Sequence, residues 1–112
     1  MSNAIANRLD RIQSKSAMRS IDVANLLGAR PETVSRWNQG KSFPRPDAQQ
    51  LLLDIEYIAD LLADFYDPPE VRLWLFSRQK LLGGSKPADL IHNGRTDEVI
   101  NVIEQLRDGV FI

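Results

Sequence analysis

A chain of 112 residues, 43% apolar and 26% charged, can bury one hydrophobic core and is too apolar for a disordered polyelectrolyte. It has no cysteine and one histidine, which excludes a disulfide framework, thiolate chemistry and metal constellations needing several such ligands. No apolar run reaches the roughly 18 residues that span a bilayer, and the polar N-terminus has no apolar signal core. A cytoplasmic protein without a membrane partner is expected.

The net charge of −1 conceals a division. Residues 1–46 hold eight bases (Arg8, Arg11, Lys15, Arg19, Arg30, Arg36, Lys41, Arg45) against three acids (Asp10, Asp22, Glu32). The remainder holds six bases against twelve acids. Such asymmetry suggests that one end faces a polyanion.

Apolar residues recur at helical spacing along the chain, and no stretch alternates with period two, so an all-α protein of about seven helices is expected. Residues 1–4 carry no functional signal. Ile5, Leu9 and Ile12 predict a first helix near 3–15. Ser20 is placed to cap a short second helix with Ile21, Val23, Ala24 and Leu27, and Gly28 ends it. A third helix opens at Pro31, a residue suited to the first turn, and runs to Asn38. Phe43-Pro44-Arg45-Pro46 reads as a rigid link, because the residue before each proline is pushed out of the helical region.

A long helix over 47–66 then presents Leu51, Leu52, Ile55, Ile58, Leu61, Leu62 and Phe65 on one face and Asp54, Glu56, Asp60 and Asp64 on the other. That acidic side is either a solvated face or a meeting point for a basic partner. Asp67-Pro68-Pro69 opens a short helix whose Trp74 reads as core. After Gly83-Gly84, Pro87 starts a helix through Ile91, and Thr96 caps a last one holding Val99, Ile100, Ile103 and Leu106. Gly109 ends it before an apolar Val110-Phe111-Ile112 tail.

Residues 20–39 have the spacing of a helix-turn-helix. Ala24 is small where two helices cross, and Gly28 suits the turn. Val34 and Trp37 share one face and are expected to pack on Ile21 and Leu27. That leaves Glu32, Thr33, Ser35 and Arg36 outward, with Arg30 before the helix and Asn38 and Lys41 at its end. A recognition helix needs such short polar and basic side chains over an apolar back, so these seven residues are the DNA-binding candidates. Glu32, an acid at the helix start, would repel phosphate unless it accepts from cytosine. With its terminal Trp37, Gly40 and Pro44, the stretch resembles the Xre/Cro helix-turn-helix.

Nothing in the chain suggests catalysis or a cofactor. The carboxylates are scattered on polar helix faces, His92 reads as a capping or surface residue, and Gly83-Gly84 lacks the strand-to-helix context of a phosphate loop.

From Trp74-Leu75-Phe76 onward, through Leu81-Leu82-Gly83-Gly84, Pro87-Ala88-Asp89-Leu90-Ile91 and the Gly109-Val110-Phe111-Ile112 ending, the sequence resembles the C-terminal domain of the MbcA/ParS/Xre antitoxin family. Lys86 departs from it, standing where many members carry a small or hydroxylated residue. The resemblance implies a region 1–46 that binds operator or promoter DNA and a region 47–112 that binds a toxin and oligomerises. It implies a RES-domain, NAD-degrading toxin as partner, held within a complex built on a homodimer. Arg95, Val110, Phe111 and Ile112 are then the toxin-contact candidates. The apolar tail by itself must pack on its own domain, which is the simplest placement, on a dimer mate or in a partner's cleft. A stand-alone dimeric Xre-type repressor is the alternative.

Overall fold

The computed structural model describes residues 3–109. It contains seven α-helices: α1 (Ala4–Ser16), α2 (Ser20–Leu27), α3 (Pro31–Asn38), α4 (Pro46–Leu62), α5 (Pro68–Leu75), α6 (Pro87–His92) and α7 (Thr96–Arg107). The all-α expectation holds, with no strand among the described residues. Four helices open on a proline in the first turn, where the missing N–H costs no helical hydrogen bond.

Three helix starts differ in chemistry from the sequence reading, and in one of them, α7, Thr96 is the first helical residue and Arg95 holds the cap position without a side-chain cap bond. Asn3, in a segment that carried no functional signal, caps α1 by accepting from Ile5 N at 2.9 Å. It also donates to the Trp37 carbonyl at 3.3 Å, tying α1 to the end of α3. Ser20 is not the cap of α2. There the Asp22 carboxylate reaches back to accept the Arg19 amide at 3.0 Å, because an ionised acceptor satisfies an orphan N–H better than a hydroxyl.

The core is one cluster running from Ile5, Leu9 and Ile12 of α1, through Val34 and Trp37 of α3 and the inner face of α4, to Val99 and Ile103 of α7. Helix α1 packs on α3, α4 and α5, α2 packs on α3 and α6, and α7 packs on α4 and α6. Trp74 is buried, as expected.

Ile21 is not part of this core. It is 54% exposed, while Val23, Ala24 and Leu26 form the buried stripe of α2 and Leu27 is half-buried. Two residues of helix turn Ile21 about 200° from Val23, to the opposite side. Helix α4 stops four residues short of the expected end. Past Leu62 the backbone tightens into three-residue turns, with Asp64 N on Leu61 O and Phe65 N on Leu62 O, since the prolines ahead forbid continuation. Phe65 therefore swings off the buried face and is 40% exposed. Between α5 and α6 lies a feature with no periodic signal, a 3₁₀ turn at Lys80–Leu82 closed by a Gln79–Ser85 bridge.

Candidate functional site

The sequence candidates converge on the α2–α3 hairpin. Gly28 adopts φ +69° at the end of α2, and the Ala29 amide then closes on the Ala24 carbonyl at 2.9 Å. Arg30 is extended, and Pro31 opens α3 directly behind it. Val34 and Trp37 are buried, as their spacing predicts. That geometry leaves Glu32 and Arg36 outermost, Thr33 and Ser35 half-buried beside them, and Arg30, Asn38 and Lys41 exposed at the two ends. After α3, the Lys41 amide bonds the Arg36 carbonyl at 2.9 Å, so the chain turns with Lys41 close to the helix end.

The acidic side of α4 is not simply solvated. Glu56 accepts from Arg8 Nε at 2.9 Å and from Arg11 Nε at 2.5 Å, and Lys15 pairs with Asp60 one turn on. The Arg11 hydrogen bond, helped by Arg8, holds the Glu56 carboxyl below the ordinary glutamate value against the opposing effect of burial.

A third pair joins α2 to α5. Asp22 is 4% exposed and accepts from Arg72 through both Nε and Nη2, at 3.0 and 2.9 Å. Burial alone would push the Asp22 carboxyl up. The Arg72 and Arg19 hydrogen bonds outweigh it and bring the carboxyl below its usual range. Arg72 also lies over the Phe76 ring, 5.3 Å from its centroid.

These pairs sort the basic residues of the N-terminal region. Arg8, Arg11 and Lys15 are neutralised by α4, whereas Arg19, Arg30, Arg36, Lys41 and Arg45 pair with no carboxylate among the described residues. The positive excess read from the sequence is thus concentrated on the α2–α3 hairpin and the link behind it. Sequence asymmetry could not separate the two groups, because the counterions come from a helix some 45 residues away.

His92, exposed at the end of α6, places Nδ1 3.1 Å from the Asn25 carbonyl, a contact that needs the proton on Nδ1. It therefore props the back of α2 rather than a ligand. No group of three potential metal-ligating side chains occurs among the described residues.

Of the other candidates, Arg95 stands apart from the hairpin at the start of α7, exposed and forked onto Glu98 at 2.5 and 2.8 Å. Val110, Phe111 and Ile112 lie outside the described residues.

No family profile matches the chain. The mycobacterial cidal antitoxins MbcA of Mycobacterium bovis and Mycobacterium tuberculosis are each 30% identical to it over 110 residues, 98% of this chain and 97% of theirs. A chain in the crystal structure of the M. tuberculosis MbcT–MbcA toxin–antitoxin complex superposes with a TM-score of 0.86 at 30% identity, covering 99% of this chain and 100% of that one. The likeness spans nearly the whole length of the chain. The chain belongs to the family of the mycobacterial cidal antitoxin MbcA.

Proposed function

We propose that the chain is the antitoxin of a toxin–antitoxin pair, without a reaction of its own, acting in the cytoplasm. The observation that carries this reading is the end-to-end likeness to an antitoxin solved together with its toxin. Residues 47–112 hold and neutralise a RES-domain, NAD-degrading toxin, with Arg95 and the Val110–Ile112 tail among the contacts. An apolar tail of that kind gains roughly 1.5–3 kcal/mol per side chain it buries, which favours a cleft over solvent.

Residues 1–46 act as a helix-turn-helix on the promoter of the chain's own operon. Arg30, Arg36, Lys41 and Arg45, in and beside α3 and unpaired among the described residues, support this, since duplex DNA is bound chiefly through neutralised phosphates. Arg30 and Lys41 sit at the two ends of α3, where phosphates flank the groove. Arg36, Thr33, Ser35 and Asn38 offer donors to base edges, and Glu32 accepts from cytosine. A homodimer within the toxin complex would set two recognition helices on successive half-sites.

The test is a pull-down of the tagged chain from its native cells, with partners identified by mass spectrometry. A stoichiometric partner of about 15–30 kDa, the size of a single domain, that depletes NAD once separated supports the antitoxin reading. Recovery of the chain alone, still able to shift promoter DNA, makes it a repressor and overturns neutralisation.

A further inference from the structure

Phe43 leaves 64% of its surface in solvent, in the link between α3 and α4. It stands between Lys41 and Arg45, two bases without a carboxylate partner among the described residues. The exposure is imposed by a stiff frame. Pro44 is buried and its carbonyl accepts from Gln49 Nε2 at 2.8 Å, which anchors the link on the first turn of α4. Pro44 and Pro46 each hold the preceding residue extended, and Arg45 has φ −65° and ψ 160°. A ring presented on such a frame loses little backbone freedom when it meets a partner.

The ring borders a groove of about 380 Å³ that it shares with Thr33, Trp37 and Arg45. Thr33, half-buried on α3, lines the same groove, so the ring lies beside α3, and Arg45 is the base on the groove wall. Asp47 also lines the groove, but it lies in the first turn of α4, where the helix amides offset its charge. An exposed ring flanked along the chain by Lys41 and Arg45, which lack a carboxylate partner among the described residues, matches a duplex, which offers apolar sugar edges and thymine methyls between rows of phosphate.

We propose that Phe43 is a DNA-contact residue that packs against the deoxyribose or thymine-methyl edge beside the bases read by α3, with Lys41 and Arg45 on the adjoining phosphates. The inference rests on the DNA-binding reading above and extends its contact surface beyond α3.

The experiment is a fluorescence-anisotropy titration of a labelled duplex from the region upstream of the chain's own gene. It uses the full chain, with and without its toxin, over a series of salt concentrations. Phe43→Ala is expected to weaken binding about tenfold, in line with one partly buried aromatic, while the slope of log K against log salt stays that of the unsubstituted protein. Arg45→Ala is expected to flatten that slope by about 0.9, the value of one phosphate contact. Thermal unfolding of Phe43→Ala should match the unsubstituted chain, because the ring is largely exposed. Unchanged affinity for Phe43→Ala, in a protein whose DNA binding is otherwise salt-dependent, overturns the inference and leaves the DNA-binding reading standing. Loss of dimerisation or of toxin binding in Phe43→Ala, with DNA affinity intact, assigns the ring to a protein interface and also overturns it. If the unsubstituted chain binds the duplex in neither form, the DNA-binding reading falls and the inference with it.

Discussion

Asp22 and Arg72, 50 residues apart, form a forked ion pair in which the carboxylate is almost fully buried and the guanidinium is 47% exposed. The pair fastens the first helix of the basic hairpin to α5. Arg72→Met leaves a buried carboxylate with the Arg19 amide as its remaining protein donor. Breaking a fully buried pair costs about 3–5 kcal/mol and an exposed one below about 1, so the half-exposed arginine places the loss at about 1–2 kcal/mol. Urea unfolding at neutral pH measures it. A companion Asp22→Asn substitution removes the stranded charge, so Arg72→Met should cost less in that background. Equal costs in both backgrounds would show that the pair is not coupled.

The same carboxylate and Glu56 are two inter-helix carboxyls expected to contribute to the acid response. Both are held below their ordinary values of 3.8 and 4.5. A folded-state value below the unfolded one means stability that is complete above the ordinary range and is lost as pH falls through the folded value. The urea midpoint should therefore stay level from pH 7 to about 5 and decline below about 4.5. Asp22→Asn with Glu56→Gln lowers the plateau and flattens the decline. An unchanged acid slope in that double variant would assign acid unfolding to other groups.

Ile21 and Leu26 differ in where they point, and stability should register it. Leu26 is 1% exposed, so Leu26→Ala removes core packing at about 2–5 kcal/mol. Ile21→Ala should stay within about 0.5 kcal/mol, as a surface change does. Comparable losses at the two positions would contradict the orientation of α2.

Gly28 combines two demands. At φ +69° a side chain is strained, and a Cβ there would meet His92 Cε1 at 3.1 Å. Gly83 has φ +66° with nothing within 4 Å of its Cβ, so it isolates the backbone part of the cost. Gly83→Ala should lose about 1 kcal/mol and Gly28→Ala more, because the His92 ring must give way while keeping its Asn25 contact. Adding His92→Ala to Gly28→Ala should narrow the difference. A thermal-shift series over the three variants decides it, and equal losses for the two glycines would remove the ring from the account.

Much of the helix order was legible because its signals are local. Pro31, Pro68 and Pro87 open helices and Gly28 closes one through the conformations they permit, while Pro46, read as the end of a link, is the first residue of α4. Val34 and Trp37 likewise determine which side of α3 faces out, so Glu32 and Arg36 were readable as outward residues. The failures share a non-local origin. An eight-residue helix such as α2 carries two plausible apolar stripes, and the choice between Ile21 and Leu26 follows from where α5, α6 and the Asp22–Arg72 pair lie. The neutralisation of Arg8, Arg11 and Lys15 needed α4 beside α1. Phe43 was legible as part of a stiff link, yet its exposure follows from how Pro44 seats on α4.

That sorting of bases makes a prediction about division of labour. Arg36 is exposed on the outer side of α3 and unpaired among the described residues, whereas Arg8 and Arg11 are committed to Glu56. Arg36→Ala should therefore weaken promoter binding and flatten its salt slope by about 0.9, while toxin neutralisation, read as NAD retained in a mixture with the toxin, is unchanged. Arg8→Ala should leave the salt slope as it was and lower stability by up to about 1 kcal/mol. Removal of Val110–Ile112 should have the opposite functional effect, releasing NAD loss while promoter binding persists. If Arg8→Ala and Arg36→Ala flatten the slope equally, the ion pairs with α4 do not withhold charge from DNA. If Arg36→Ala and the truncation each abolish both activities without unfolding the chain, the two surfaces are one, and the separation between a DNA-facing hairpin and a toxin-facing C-terminal region is wrong.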